Sequence, residues 1–418
     1  MKTRVYYGEY TLRHWLRLML TRNIELPSYQ RSFVWEEKDI MRLVESLTTG
    51  QFVPPITIAH FEENSRPQNL ILDGQQRLTS LLLAYIGYIP IKEKFENAED
   101  LALGDDSREE DSSYSLEWVY KMLLKNDVTE NTLSAIEQRV KEDSKYRTIE
   151  ITFLNGKDNF FDETFLGFSY IVPDNKNEVE TQKYFSTLFR NMNYLGKKLS
   201  PLESRRSLYF MNIEYKDYFD GKLSSGEDVL CNVRIMENKQ AKKIDFVRYL
   251  AILSQYYGTN NYNKVLVGYS AYSSRESYYA DYVSYIVKLE QETRNTKFNA
   301  FDFSATFPNN LWRERFSFIH DFFERHKSDM GLEEKYLAFT SWIDADYWLF
   351  GLLYYGLFKG ISTFTNEETL INEIRNEVSQ KRQTTTENDE YQRNPNRLGN
   401  LRKRLEKSIS IVGQHVQQ

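Results

Sequence analysis

The chain of 418 residues carries a net charge of −6, 41% hydrophobic residues and one cysteine. That length supports two domains with full cores, since a single core stops growing at roughly 250–300 residues. Cys231 alone excludes an internal disulfide framework and a cysteine-built zinc site and fits a reducing cytosol, and the net charge argues against coating DNA by overall charge while leaving room for a local basic patch. No apolar run approaches the roughly 20 residues that span a bilayer, and Met1 to Tyr7 lacks a signal-peptide core, so a soluble, cytoplasmic protein without a membrane partner is expected.

The first polar signature is Leu26-Pro27-Ser28-Tyr29-Gln30-Arg31. Pro27 fixes its own φ and pushes Leu26 into an extended conformation, which places Gln30 and Arg31 on or just after an extended segment. A helix should start near Glu36 or Glu37, bury Ile40, Leu43, Val44 and Leu47, and stop at Gly50. Tyr29, Phe33 and Trp35 are equally readable as core aromatics. Next, Pro55 to Ala59 alternates like a strand, and Asn69 to Leu72 is a short apolar run of the kind that forms a buried one. Leu78, Leu81, Leu82, Tyr85 and Ile86 then recur on one helix face.

The second signature, Asp73-Gly74-Gln75-Gln76-Arg77, lies where that strand meets that helix. Unpaired N–H groups of the first turn and the positive end of the helix dipole converge there, and an arginine one turn in adds a full charge; a phosphate fits such a place. Asp73 with Gln76 three residues on is also an ordinary capping box, but that leaves Gly74, Gln75 and Arg77 without a structural task. On the ligand reading, Arg77 and the N–H groups after Gly74 hold phosphate, and Gln75 or Gln76 orients water or a phosphate oxygen. Asp73 is the candidate general base or Mg²⁺ ligand, with Tyr29, Gln30 and Arg31 completing the pocket.

From Glu93 to Asp111 the chain is acidic and poor in apolar residues, reading as a solvated insertion, with a metal or partner site as the alternative. Leu116, Val119, Tyr120 and Leu123 mark one helical face and Leu133, Ile136 and Val140 another, and the alternation of Arg147 to Phe153 should return the chain to the sheet. The expected first domain, 1–235, is mixed α+β. Beyond Asp158 to Asp162 the pattern turns helical. Ser200, Pro201 and Glu203 form a helix-start signature, which gives Glu203 a capping role. Arg205 opposes the dipole there unless an anion is near: Glu203, an acidic side chain elsewhere, or a bound nucleotide. Glu203 and Arg205 therefore join the candidate nucleotide-binding residues.

The second half, 236–418, has helix-length segments around Asp245 to Tyr257, Ser277 to Glu292, Leu311 to His326, Leu332 to Lys359 and Glu367 to Arg382, with a heavy aromatic load suited to core packing or, for some rings, base stacking. His320 and His326 with Asp321 and Glu324 do not make a His-Glu-x-x-His motif, and six residues apart they face different sides of a helix, so no metal site is expected. After a polar stretch from Gln380, Arg397, Arg402, Lys403, Arg404 and Lys407 ride a helix with Leu398, Leu401, Leu405 and Ile409. That basic helix either touches DNA phosphates or docks on the core with a solvated cationic face.

Leu26 to Trp35, the helix to Gly50, Pro54-Pro55-Ile56 and Asp73 to Thr79 resemble the N-terminal domain of GmrSD-type, modification-dependent restriction systems, with Leu199-Ser200-Pro201-Leu202-Glu203-Ser204-Arg205 standing for its third motif. The resemblance implies a ParB/sulfiredoxin-like fold in the first half, followed here by a mostly α-helical domain. It also implies a nucleotide-phosphate pocket at the Asp-Gly-Gln-Gln-Arg turn and hydrolysis of an NTP, GTP or ATP with Mg²⁺, in anti-phage defence or modified-DNA restriction. The expected partners are the nucleoside triphosphate, DNA including modified phage DNA, a separate nuclease and a second copy of the chain. Nuclease members of the family carry an HNH or His-Me finger domain; the five histidines here, His14, His60, His320, His326 and His415, lack an Asp-His-x-x-Pro context, so HNH cutting is not expected. Asn396 to Leu401 reads as a helix entry. The competing reading is a non-hydrolysing adaptor that binds nucleotide or DNA and regulates a separately encoded nuclease.

Overall fold

The computed structural model describes residues 3–26, 33–63, 66–95, 118, 120–173, 184–185, 188, 205–209, 213–237, 240–267, 272–289, 296–383 and 397–416. Tyr29, Gln30, Arg31, Glu203, the helix start at Ser200 and the acidic insertion from residue 96 onward lie outside them. The chain divides into two compact units, with the change falling after Lys198.

In the first unit, β1 (Arg4–Thr11) passes into α1 (Leu12–Leu20) at Thr11, whose hydroxyl accepts from the His14 backbone N–H as a helix cap. Leu12, Trp15, Leu16 and Met19 give α1 one fully buried face. Helix α2 (Glu37–Thr48) starts where expected and buries Ile40, Leu43 and Val44. β2 (Ile56–Glu63) and β3 (Arg66–Asp73) pair antiparallel, and after Gly74 the chain enters α3 (Gln75–Ile86), which buries Leu78, Leu81, Leu82 and Ile86. Beyond β4 (Tyr88–Pro90), α4 (Leu133–Glu142) buries Ile136 and Val140. These faces, with the buried rings of Phe33 and Trp118, close the first core.

Two expectations fail in this unit. Arg147 to Phe153 does not rejoin the main sheet: β5 (Tyr146–Thr148) pairs with β4 as a separate two-stranded ribbon, and Thr152–Leu154 is a 3₁₀ turn. The strand that does enter the sheet is β6 (Phe165–Val172), in a stretch expected to be helical. The sheet order is β1-β6-β2-β3, with β6 antiparallel to β1 and parallel to β2. On β6 only Leu166 and Ile171 are buried, too few to write a period of two into the sequence.

The second unit contains α5 (Ile213–Asp220), α6 (Phe246–Thr259), α7 (Tyr272–Ile286), α8 (Trp312–His326), α9 (Trp342–Leu353) with a π-helical turn at Tyr354–Phe358, α10 (Glu367–Gln383) and α11 (Leu398–Gly413). A small sheet, β8-β7-β9, built from β7 (Arg234–Glu237), β8 (Gln240–Lys243) and β9 (Ala338–Phe339), was not legible in the sequence. Leu208, Tyr209, Tyr218, Phe219 and Val229 belong to this second core, which is why the division stands earlier than residue 235. The aromatic load is mainly core: Tyr218, Tyr278, Tyr279, Tyr282, Trp312 and Trp348 are buried. The unit is mostly α-helical and the first is mixed, so the chain is α+β. Among the described residues, no helix is long and apolar enough to cross a membrane.

Candidate functional site

The turn from β3 to α3 is built by Gly74. Its φ of 99° is left-handed, and a Cβ there would stand 2.4 Å from Ile56 Cδ1, so the position suits glycine on both counts. Gly74 itself is the N-cap of α3 and supplies no side-chain hydrogen bond, and the first turn carries no acidic residue. The capping box, the alternative reading of Asp73 and Gln76, does not form. Asp73 instead ends β3 half exposed, where its Oδ2 accepts from Arg77 Nη2 at 2.7 Å.

Arg77 is the centre of the turn. Its Nη2 also donates to the Pro55 carbonyl at 3.2 Å, while its Nε is buried without a hydrogen-bond acceptor. A buried guanidinium N–H left unmatched costs about 1–3 kcal/mol or more, so such atoms call for an explanation. Arg77 therefore lies one turn into a helix whose N-terminus has no anionic cap, held by one carboxylate and one carbonyl.

Gln75 and Gln76 are both buried. Gln76 Oε1 accepts from the Val34 backbone N–H at 2.9 Å, tying the chain just past Arg31 to the first turn of α3. The preceding flank is pinned too: the Glu25 backbone bonds to Asn69 and Ile71 on β3. Phe33 donates its N–H to the Trp118 carbonyl and packs edge-on to the Trp118 ring at 5.5 Å, which places Phe33 in the core. The described flanks of the first signature are thus tied to β3 on one side and to the first turn of α3 on the other, though the two signatures are about forty residues apart in the chain.

Arg205 is placed elsewhere. It lies in the second unit, 1% exposed, with Nη2 donating to Asp245 Oδ2 at 2.7 Å and Nη1 standing 3.3 Å from Glu276 Oε2. Acidic side chains elsewhere in the chain answer its charge, which is one of the three partners the sequence left open. Those partners are 40 and 71 positions away, so no local pattern pointed to them.

The basic tail is also largely committed. Arg404 is buried and its Nε donates to Asp346 Oδ2 at 2.9 Å; Arg402 donates to the carbonyls of Val265 and Asn263 at 2.7 and 2.8 Å; Lys407 stands 3.5 Å from Glu377. Arg397 and Lys403 remain exposed. Arg397 is the N-cap of α11, as the helix-entry reading of this stretch expects.

The five histidines do not assemble. His326 Nε2 lies 2.6 Å from Glu367, His415 contacts Glu373 and the Thr365 carbonyl, and His60 contacts Tyr170, while His14 packs on Tyr10. His320 and His326 face different partners, as their spacing requires. The one grouping of metal-type donors among the described residues is Cys231, His320 and Glu324, although the sequence reading excludes a cysteine-built zinc site and expects no metal at His320 and Glu324.

Residues 16–210 match the family model described as the GmrSD restriction endonuclease, N-terminal domain, which bears out the resemblance carried by the motifs. An uncharacterised protein of Methanocaldococcus jannaschii is similar as well, 28% identical over 241 residues that cover 46% of this chain and 40% of that protein. The chain thus spans about two fifths of that relative's length.

Proposed function

We propose, taking residues 16–210 as a GmrSD-type N-terminal domain, that this chain is a cytoplasmic nucleotide-binding component of bacterial anti-phage defence or modified-DNA restriction, with a ParB/sulfiredoxin-like first unit. The observation that carries the reading is Arg77, with its unmatched buried Nε at a helix N-terminus that has no side-chain cap. A triphosphate oxygen supplies what that turn lacks: an anion for the helix dipole and an acceptor for the guanidinium.

Arg77 and Asp73 act as a pair in this reading. When phosphate arrives, Arg77 exchanges its bond to Asp73 for one to the ligand, which frees a half-exposed carboxylate to take Mg²⁺ or to accept a proton from water. Gln75 or Gln76 orients water or a phosphate oxygen, and Gln76 also accepts from the Val34 N–H. Tyr29, Gln30 and Arg31, outside the described residues, would complete the pocket.

Phosphate release by the purified full chain, with ATP and with GTP and with or without DNA, tests the proposal. Turnover supports hydrolysis. Nucleotide binding without turnover supports the adaptor reading, in which the chain signals to a separate nuclease. Failure to bind either nucleotide in the presence of Mg²⁺ overturns the site.

A further inference from the structure

Cys231 sits in a loop that folds back on Asp228: its N–H donates to the Asp228 carbonyl at 2.9 Å, and the Leu230 N–H donates to Asp228 Oδ1 at 3.0 Å. Cys231 and Asn232 are both left-handed, with φ of 53° and 58°. Asparagine tolerates that backbone better than cysteine does. The Cys231 thiol is aimed at α8, with Sγ 3.4 Å from the His320 carbonyl.

On α8, His320 and Glu324 are four residues apart and share one face. One donor atom from each of Cys231, His320 and Glu324 lies within 4.8 Å of the other two. Donors around a tetrahedral zinc stand about 3.3–3.8 Å apart, given bonds of about 2.0–2.3 Å, so the set must draw together by on the order of 1 Å to hold the ion. His320 Nδ1 stands 3.5 Å from Asp321 Oδ1, the carboxylate–imidazole arrangement that commonly backs a metal-bound histidine. Lys327 Nζ holds Glu324 Oε1 at 2.7 Å and competes for that carboxylate.

We infer that Cys231, His320 and Glu324 form a zinc site in the second unit. A thiolate, an imidazole and a carboxylate together suit a borderline divalent ion, and three protein donors leave a fourth position for water. Cys231 is buried, His320 intermediate and Glu324 exposed, so the fourth position opens on the Glu324 side. Zinc binding there displaces the thiol proton, because the thiolate is the ligand. The site is independent of the phosphate turn, which belongs to the other unit.

The test uses the full chain stripped with a chelator, with Co²⁺ as a spectroscopic probe and Zn²⁺ in competition. Because the chain has one cysteine, a near-ultraviolet thiolate-to-cobalt band reports Cys231 alone. The expected result is one Co²⁺ per chain with that band, displaced by Zn²⁺. Cys231→Ser should remove the band and weaken Zn²⁺ binding at least ~100-fold, beyond the ~10–100-fold typical of outer-shell partners. Lys327→Ala should tighten Zn²⁺ binding by releasing Glu324. A folded wild-type chain without the band, or unchanged Zn²⁺ affinity in Cys231→Ser, overturns the site. Should Cys231→Ser fail to fold, the wild-type cobalt spectrum decides.

Discussion

Arginines in the two units of this chain meet different surroundings. Arg248 and Arg404 both bond the carboxylate of Asp346, which is fully buried and also accepts from the Tyr249 hydroxyl at 3.1 Å. That network is structural, one buried carboxylate set between two buried guanidinium groups. Removing its centre strands two buried cations, so Asp346→Ala should cost about 3–5 kcal/mol, read as a fall in denaturation midpoint, with nucleotide affinity of any folded fraction unchanged. Arg77 is left open at Nε. Arg77→Ala should therefore lower nucleotide affinity by about ten- to a hundredfold, through loss of a charge-assisted contact of about 1.5–3 kcal/mol. Isothermal titration against the folded variant measures this, and unchanged affinity would remove Arg77 from the site. Gly74→Ala tests the turn itself: the left-handed φ and the 2.4 Å approach to Ile56 Cδ1 predict a loss of at least about 1 kcal/mol of stability together with weaker nucleotide binding.

Helix α11 is a docked element of the second core. Leu401, Leu405, Ile409, Ile411 and Val412 are all buried, and each contributes about 1.5–3 kcal/mol. Its contact with α9 is close: a Cβ at Gly351 would stand 2.5 Å from the Ser408 carbonyl oxygen, and the Gly351 N–H donates to Ser408 Oγ at 2.8 Å. Deleting the chain from Arg397 onward should therefore unfold or severely destabilise the second unit, given total stabilities of only about 5–15 kcal/mol. Arg397 and Lys403, exposed as Lys407 is but outside its bridge to Glu377, contribute about two units to any DNA salt slope, so Arg397→Ala with Lys403→Ala is the clean test of DNA contact, scored by titration at two salt concentrations. Helices such as α2, α3, α8 and α11 were legible because one face is apolar at a period near 3.6. Strand β1 was not, because it lies exposed along nearly its whole length, with Val5, Tyr6 and Tyr7 facing out. The candidate turn was legible as a strand–helix junction rich in donors. Which acid each donor meets was not, since Asp73 could equally have capped the helix.

At the scale of the whole chain, the family match and the packing draw different lines. The match runs to residue 210, yet Arg205 to Tyr209 already belong to the second unit, where Leu208 and Tyr209 join its core. Arg205, at the end of the third motif, pairs with Asp245 inside the second unit, and Asp245→Ala should destabilise that unit rather than the first. Each unit closes its own hydrophobic core, so each should unfold as its own cooperative transition. Calorimetry of the full chain then separates the two proposed ligands by which transition they move. A ligand that binds only the native form at a hundred times its Kd stabilises by about 2.7 kcal/mol, a shift of several degrees. Nucleotide with Mg²⁺ should raise the transition that Gly74→Ala lowers, and Zn²⁺ should raise the one that Asp346→Ala lowers. The same ligand moving both transitions equally would mean that the two cores melt as one, and the assignment of a separate ligand to each unit would fall.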